Sequence, residues 1–394
     1  MLIREAYPSY IKYMGSKSKI MDFVLEGINE VRRPNEPVID LFAGSASLAG
    51  AIGRQTDFVS NDIQAYSKIL SRAYACAWRG AHTPTADELL LQAKKIAQSR
   101  LDELSAWLVD YSKLDSLEEF NSAEKNQREL LNRHFESDWF LFTKYYSGTW
   151  WTAEQCIRID AIRGVAERYL DDPAYDVILA SLMFAMAYCS QGTGHYAQYR
   201  DANTFSSMKD ILLYRQRDIN AYFKRKYEQA LEALPTAPPV ASCTTSSLDY
   251  KQCLAEAPTG TVYADPPYCF VHYSRFYHAL ETLVLYDYPD LQIKGGAVVK
   301  GRYRAERHQS PFSIRSQVPG AFNNLFRGIA TAGSRLVLSY SNTGMISLDQ
   351  LVELANEAFP DRRRELLTMD HQHMTLGRQG IRHRDVTECL LLVY

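Results

Sequence analysis

Two consecutive prolines placed directly after a β-branched run restrict this chain more than any other feature of its sequence. Thr261-Val262-Tyr263-Ala264 reads as a short buried strand, and Asp265-Pro266-Pro267-Tyr268 follows it. Proline has no N–H for a sheet ladder and its ring fixes φ, so a central strand must stop at Asp265. What remains at the strand's C-terminal edge is a carboxylate, a rigid carbonyl-bearing turn and a flat ring. Ligands of open α/β sheets bind at that edge. The stretch therefore predicts an α/β fold with its functional site there.

Upstream segments supply the rest of such a site. Pro37-Val38-Ile39-Asp40-Leu41 is an apolar strand that runs into the small-residue turn Phe42-Ala43-Gly44-Ser45-Ala46-Ser47, with a helix from Leu48 to Ile52. This is a strand, tight turn and helix of the nucleotide-binding kind. Its spacing is not G-x-G-x-x-G, which argues against a nicotinamide or flavin site. A second strand, Phe58-Val59-Ser60, ends at Asn61-Asp62. An acidic residue there either grips a ribose hydroxyl or caps a helix. Before the first strand, Gly15-Ser16 precedes an amphipathic run from Lys19 to Val31 and can bring backbone N–H groups to an anionic group.

The ordered set is more specific than any member. Lys-Tyr-Met-Gly-Ser-Lys at 12–17, Asp-Leu-Phe-Ala-Gly-Ser at 40–45, Asn-Asp at 61–62, a long insertion and Asp-Pro-Pro-Tyr at 265–268 resemble the D12 class of adenine-N6 DNA methyltransferases, the family of the bacterial Dam enzymes. The resemblance covers residues 10–62 and 242–394. Ala46 departs from it, standing where the family usually has a second glycine; an Ala needs only a slightly wider turn. The resemblance implies an α/β, Rossmann-like S-adenosylmethionine-dependent methyltransferase sheet of about seven strands, the last one antiparallel. That catalytic domain takes residues 1–75 and 240–394, and a mainly helical DNA target-recognition domain is inserted at 76–239. The implied reaction moves a methyl group from S-adenosylmethionine to a flipped adenine in double-stranded DNA. The implied setting is restriction-modification or phage defence, for a cytoplasmic protein of bacterial or phage encoding, with a restriction or defence protein as candidate partner.

The same resemblance assigns residues. Tyr13, Gly15 and Lys17 fall to the methionine portion of the cofactor and Asp62 to its ribose. Asp40, Phe42, Ala43, Gly44 and Ser45 form the wall and floor of the pocket. Asp249, in Ser246-Ser247-Leu248-Asp249-Tyr250, falls beside the cofactor's adenine amino group; read from sequence alone it is equally an N-cap or turn residue. Asp265 lies near both cofactor and substrate.

The chemistry fits the residue types. The exocyclic amine of a base is a poor nucleophile because its lone pair is conjugated into the ring. The Asp265 carboxylate and the Pro266 carbonyl can both accept from that amine, and the Pro266-Pro267 turn holds the carbonyl still. Tyr268 offers a face for stacking an extruded base. A cytosine-N4 methyltransferase needs the same geometry and is the nearest rival, and a DNA-binding relative without catalysis is a second. Protein-glutamine methyltransferases carry Asn where Asp265 stands. There is no Pro-Cys nucleophile motif of the kind cytosine-C5 methylation uses.

The insertion reads as helices at Glu88–Tyr111, 117–133, 154–170, 176–190 and 210–234. The aromatic stretch Asp138–Trp151 is either a small core or a surface that stacks on bases. Gly192–His195 is either a helix-ending loop or a lining of the target-base pocket. Beyond it, Val240–Thr244, Arg335–Ser341, Arg364–Thr368 and Thr387–Tyr394 read as strands, the last two as an antiparallel hairpin.

Net charge of −2 does not announce a nucleic-acid binder, but residues 294–394 hold 14 Lys and Arg against 9 Asp and Glu. Clusters of that kind suit phosphate contacts. Lys300, Arg302 and Arg304 in a glycine-rich loop, with His373 and Arg378 in the final hairpin loop, are the candidate DNA contacts. The seven cysteines form no C-x-x-C pair, so no metal site is expected. No run of 18 or more apolar residues occurs, so no membrane partner is expected.

Overall fold

A computed structural model describes residues 1–192, 194–374 and 383–394, with the side chains of 370–374 and 383–386 left aside. In chain order the elements begin with α1 (Met21–Val31), β1 (Val38–Asp40), α2 (Ser47–Ile52), β2 (Phe58–Asn61) and α3 (Ala65–Ala75). Seven helices follow without a sheet strand: α4 (Ala86–Glu103), α5 (Leu117–Arg128), α6 (Leu141–Tyr146), α7 (Ala153–Ala166), α8 (Ala174–Cys189), α9 (Phe205–Arg215) and α10 (Ile219–Ala233). The chain returns through β3 (Cys243–Ser246), α11 (Tyr250–Glu256), β4 (Thr261–Ala264), α12 (Tyr273–Phe276), α13 (His278–Leu285) and a small hairpin of β5 (Ile293–Lys294) and β6 (Ala297–Val298). It closes with α14 (Val318–Thr331), β7 (Arg335–Ser341), α15 (Leu348–Ala358), β8 (Arg364–Met374) and β9 (His383–Val393).

Seven strands form one sheet in the order β3-β2-β1-β4-β7-β9-β8. β1, β2, β3, β4 and β7 pair in parallel, and β9 runs antiparallel to both neighbours. This is the methyltransferase sheet the resemblance implied, with the last strand antiparallel. β1 sits between β2, the next strand in sequence, and β4, which starts the other wing. The strand order therefore switches between β1 and β4, and a crevice opens beyond their carboxyl ends.

Side-chain alternation divides the strands between two cores. Val38, Phe58, Tyr263, Val337, Leu390 and Leu392 face α1, α2, α3 and α13. Ile39, Leu41, Val262, Leu336, Leu338, Leu391 and Val393 face α11, α14 and α15. α1 lies so close to the sheet that a Cβ on Gly27 would come within 2.9 Å of the Leu390 side chain.

The helices of 76–239 enclose one small cluster of their own, Tyr111, Phe120, Ala202, Met208 and Ile211, and pack most of their remaining buried side chains onto the sheet's helices. Side chains of α7 and α8 join those of α2, α3 and α13 in one buried cluster. α8 is apolar all round and buried on almost every side, as expected for a helix packed between neighbours. Several boundaries differ from the sequence reading. The helix expected over 88–111 stops at Glu103, and that over 117–133 stops at Arg128 before a 3₁₀ turn. The single helix expected over 210–234 is two. α9 ends at Arg215, and the Asp218 side chain accepts from the Asn220 N–H to start α10. The closing strands β8 and β9 are longer than read from sequence.

The aromatic stretch 138–151 is core. Phe140, Phe142, Tyr146, Trp150 and Trp151 are all buried. The base-stacking alternative for them fails because their rings pack on one another and on His278. Trp150 and Trp151 each give their indole N–H to a backbone carbonyl, of Gly301 and Met186 respectively. A buried indole needs such a partner.

Candidate active site

A cleft of about 1150 Å³, counting its open mouth, lies at the carboxyl ends of β1, β2 and β4. Every residue singled out above for catalysis or cofactor contact lines it: Tyr13, Gly15, Lys17, Asp40, Phe42, Ala43, Gly44, Ser45, Asp62, Asp249, Asp265, Pro266, Pro267 and Tyr268.

The turn after β1 is held from the neighbouring strand. Asp62 accepts from the Gly44 N–H at 2.9 Å through one carboxylate oxygen and from the Gln64 N–H at 2.9 Å through the other. Asp62 thus already serves as the anchor of this turn while facing the cleft. Burial raises its pKa and the two backbone N–H groups lower it. Gly44 has φ +52°, and a Cβ there would lie 2.9 Å from the Tyr13 hydroxyl. Only glycine lets this backbone approach the ring so closely. Ala46 is a correction to the sequence reading. It is not in a slightly wider turn but in the left-handed conformation, at φ 56° and ψ 30°, fully buried at the start of α2. That backbone costs a non-glycine residue about 1–2 kcal/mol.

Asn61 ties three strand ends together. Its amide donates to the carbonyls of Leu41 and Leu248 and accepts from the Ser246 hydroxyl and the Leu248 N–H. Asp249 both lines the cleft and caps α11, accepting from the Lys251 N–H at 2.9 Å. Asp40, at the end of β1, is 2% exposed, and its Oδ1 has no hydrogen-bond partner among the described residues. Burial, then the nearby charges of Asp265 and Asp62, raise its pKa well above the usual carboxylate value.

The floor under the Asp-Pro-Pro-Tyr turn holds a buried ion cluster. Lys17 Nζ lies 3.0 Å from Glu388 Oε2, 3.0 Å from the Tyr268 hydroxyl and 3.5 Å from Asp265 Oδ1. Lys17, expected at the methionine portion of a cofactor, lines the cleft and also sets its ammonium against the Asp265–Tyr268 turn. The Tyr268 hydroxyl is also 3.5 Å from Glu388 Oε1, and its ring meets Tyr340 edge-on, which fixes the plane of Tyr268. Glu388 has no counterpart among the sequence expectations. It sits in β9 as one acid between Thr387 and Cys389, and only the sheet order, β4-β7-β9, brings it near the Asp265–Tyr268 turn. Tyr273 and Tyr277, polar aromatics placed by sequence just after the Asp265–Tyr268 turn, pack against the 13–17 segment. They stack on Tyr13 at 5.5 and 4.7 Å and hold the 13–17 segment by hydroxyl contacts to Met14.

Of the expected DNA contacts, the described ones are buried or ion-paired. Arg302 is 4% exposed and burial lowers its pKa to about 10. Both terminal guanidinium nitrogens of Arg304 pair with Asp287, at 2.8 and 2.6 Å. Lys300 pairs with Asp201 at 2.7 Å. The side chain of His373 and the whole of Arg378 lie outside the described residues. Gly192, Gly194 and His195 do not line the cleft; His195 is buried against Phe276.

Sheet order and cleft together define an α/β protein of the methyltransferase class. The chain belongs to the family described as D12 class N6 adenine-specific DNA methyltransferase, whose model matches residues 13–327. It is 24% identical over 385 residues to Modification methylase LlaI of Lactococcus lactis subsp. lactis, covering 94% of this chain and 53% of that one. It is 26% identical over 370 residues to Type II methyltransferase M.FokI of Planomicrobium okeanokoites, covering 90% and 48%. The chain thus spans about half the length of these two relatives. To Type II methyltransferase M.NlaIII of Neisseria lactamica it is 25% identical over 362 residues, 87% of each. Membership implies that a methyl donor is used. No described helix is long and apolar enough to cross a membrane.

Proposed function

We propose that this chain transfers a methyl group from S-adenosylmethionine to the N6 amine of an adenine in double-stranded DNA, in a restriction-modification setting. The observation that carries the reading is one cleft that unites the Asp265–Tyr268 turn with the Asp62-anchored turn at Gly44.

The cleft suits the donor. Asp62, Asp249 and Asp265 line it against the single ammonium of Lys17, and that balance favours a cationic ligand. The close approach of Gly44 to Tyr13 makes a narrow cradle that a side chain would fill. Asp62 would hold the ribose, Asp249 the base, and Tyr13 with Gly15 the methionine end. When bound, S-adenosylmethionine supplies an electrophilic methyl carried on a sulfonium. The protein's own groups do the rest. The Asp265 carboxylate and Pro266 carbonyl accept from the two amine hydrogens and turn the lone pair out of the ring. The prolines hold these acceptors in place beforehand, so no reorganisation is needed at reaction. The Tyr268 ring, immobilised through its hydroxyl, stacks on the base. The proton that the amine loses on methylation passes to a carboxylate oxygen of Asp265.

Purified protein incubated with donor and duplex DNA should yield N6-methyladenine on nucleoside analysis. N4-methylcytosine alone, or methylation of RNA or protein alone, overturns the reading.

A further inference from the structure

We propose that Phe270 is the wedge that enters the duplex when the target adenine leaves it, flanked by Arg275 and Arg307 on the phosphates. The inference rests on the reading of DNA as substrate and names a residue that reading does not use.

Phe270 is 83% exposed. A single exposed aromatic is ordinary on a protein surface; its place decides its meaning. It follows Tyr268 by two residues and precedes Val271, and both of these line the cleft. Two residues of chain reach at most about 7 Å, roughly two base-pair steps of the double helix at about 3.4 Å each. A ring so placed reaches the stack at the position from which a base would enter the cleft. Apolar side chains inserted between base steps replace the stacking that extrusion removes.

The rim beside it is cationic. Arg275 and Arg307 both lie over the Tyr303 ring, at 4.6 and 5.9 Å. Neither has an ion-pair partner among the described residues, and Arg275 and His308 are exposed. Burial, then Arg307, Arg275 and His308, lower the pKa of His272, which puts these cationic groups close together. This differs from Lys300 and Arg304, whose charges are already paired. Ser274 and His308, next to Arg275 and Arg307, line the same cleft as Tyr268 and Val271, and an apolar tip with unpaired cations at one cleft mouth matches a stacked, polyanionic partner.

The test compares wild type, Phe270→Ala and Phe270→Trp in single-turnover methylation of two duplexes carrying the site that wild type methylates. In one the target adenine is paired; in the other it faces an abasic position, which lowers the cost of extrusion. The proposal expects Phe270→Ala to lose roughly tenfold or more on the paired duplex and to stay within about twofold of wild type on the abasic one. Phe270→Trp, which keeps a flat ring, should hold both rates. Equal rates for Phe270→Ala and wild type on both duplexes overturn the proposal, as does an equal loss on both. If wild type methylates neither duplex, the DNA reading falls and the wedge with it.

Discussion

Lys17 and Glu388 stand 371 residues apart in sequence and 3.0 Å apart in the fold, with side chains 6% and 1% exposed. The contact joins the segment ahead of α1 to β9 beneath the catalytic turn. Burial opposes the Lys17 charge, but Asp265, Tyr268 and Glu388 outweigh it and hold the pKa well above 10.5. A folded-state pKa above the unfolded value gives stability that is present below about pH 10.4 and lost only as pH rises through the folded value. Glu388→Gln should therefore cost about 3 kcal/mol, the lower end for breaking a buried pair, because Lys17 retains Asp265 and Tyr268. The loss should not vary between about pH 6 and pH 9. Lys17→Met should cost more, since it strands two carboxylates. Urea unfolding measures both; a Glu388→Gln variant as stable as wild type would show that the pair holds nothing.

Gly44 and Ala46 share one turn and one backbone hand but should answer oppositely to substitution. Gly44→Ala drives a Cβ against the Tyr13 ring and adds about 1–2 kcal/mol of left-handed strain. Donor affinity by calorimetry should fall roughly tenfold or more, about 1.4 kcal/mol per decade. Ala46→Gly relieves similar strain but loses a buried methyl of about 0.8 kcal/mol and gains unfolded-state freedom. Its melting temperature should stay close to that of wild type. Equal tolerance of both changes would contradict the turn described.

Much of this site was legible because its chemistry is local. A strand halted by Pro266-Pro267, a small-residue turn at 42–47 and an acid at 62 each carry their signal within a few residues, and all of them line one cleft. What the sequence hid is long-range. Glu388 is one acid in a closing strand, and its partner is set by the sheet order, which puts β9 beyond β7 from β4. The aromatic run 138–151 has the same composition whether it faces bases or core, and packing against His278 decided it. The basic loop at 300–304 showed its charges but not Asp201 and Asp287, which neutralise two of them. The break between α9 and α10 did have a signal in the capping side chain of Asp218.

Asp40 gives the fold a pH dependence. Its folded pKa is raised well above 3.8 by burial first and by Asp265 and Asp62 next. The unfolded chain releases this proton near pH 4 while the folded protein keeps it, so stability falls as pH rises from about 4 toward the folded value. Asp40→Asn keeps an acceptor for the Phe42 N–H and removes the titration. In donor-free protein the variant should be more stable than wild type at about pH 8 and should lose that advantage near pH 4. Parallel stability curves would contradict the assignment.

The two basic groups should separate in salt. Each phosphate contact adds about 0.9 to the slope of log affinity against log salt. Arg275→Gln and Arg307→Gln should each lower the slope by about one unit. Arg304→Gln should leave the slope unchanged and lower the melting temperature, because it breaks the bidentate pair with Asp287. A slope that responds to Arg304 and not to Arg275 would contradict this assignment of the phosphate contacts.

Asp265 carries the central claim, that a carboxylate and a proline carbonyl at the end of β4 direct an amine lone pair. The direct measurement is single-turnover N6-methyladenine formation in duplex DNA by wild type and Asp265→Ala, with donor binding and circular dichroism recorded on both. The account predicts that Asp265→Ala folds, binds donor, and loses transfer by about 10²–10³-fold or more, the scale of a lost preorganised acceptor. Transfer by Asp265→Ala within about tenfold of wild type, well short of that scale, would contradict it.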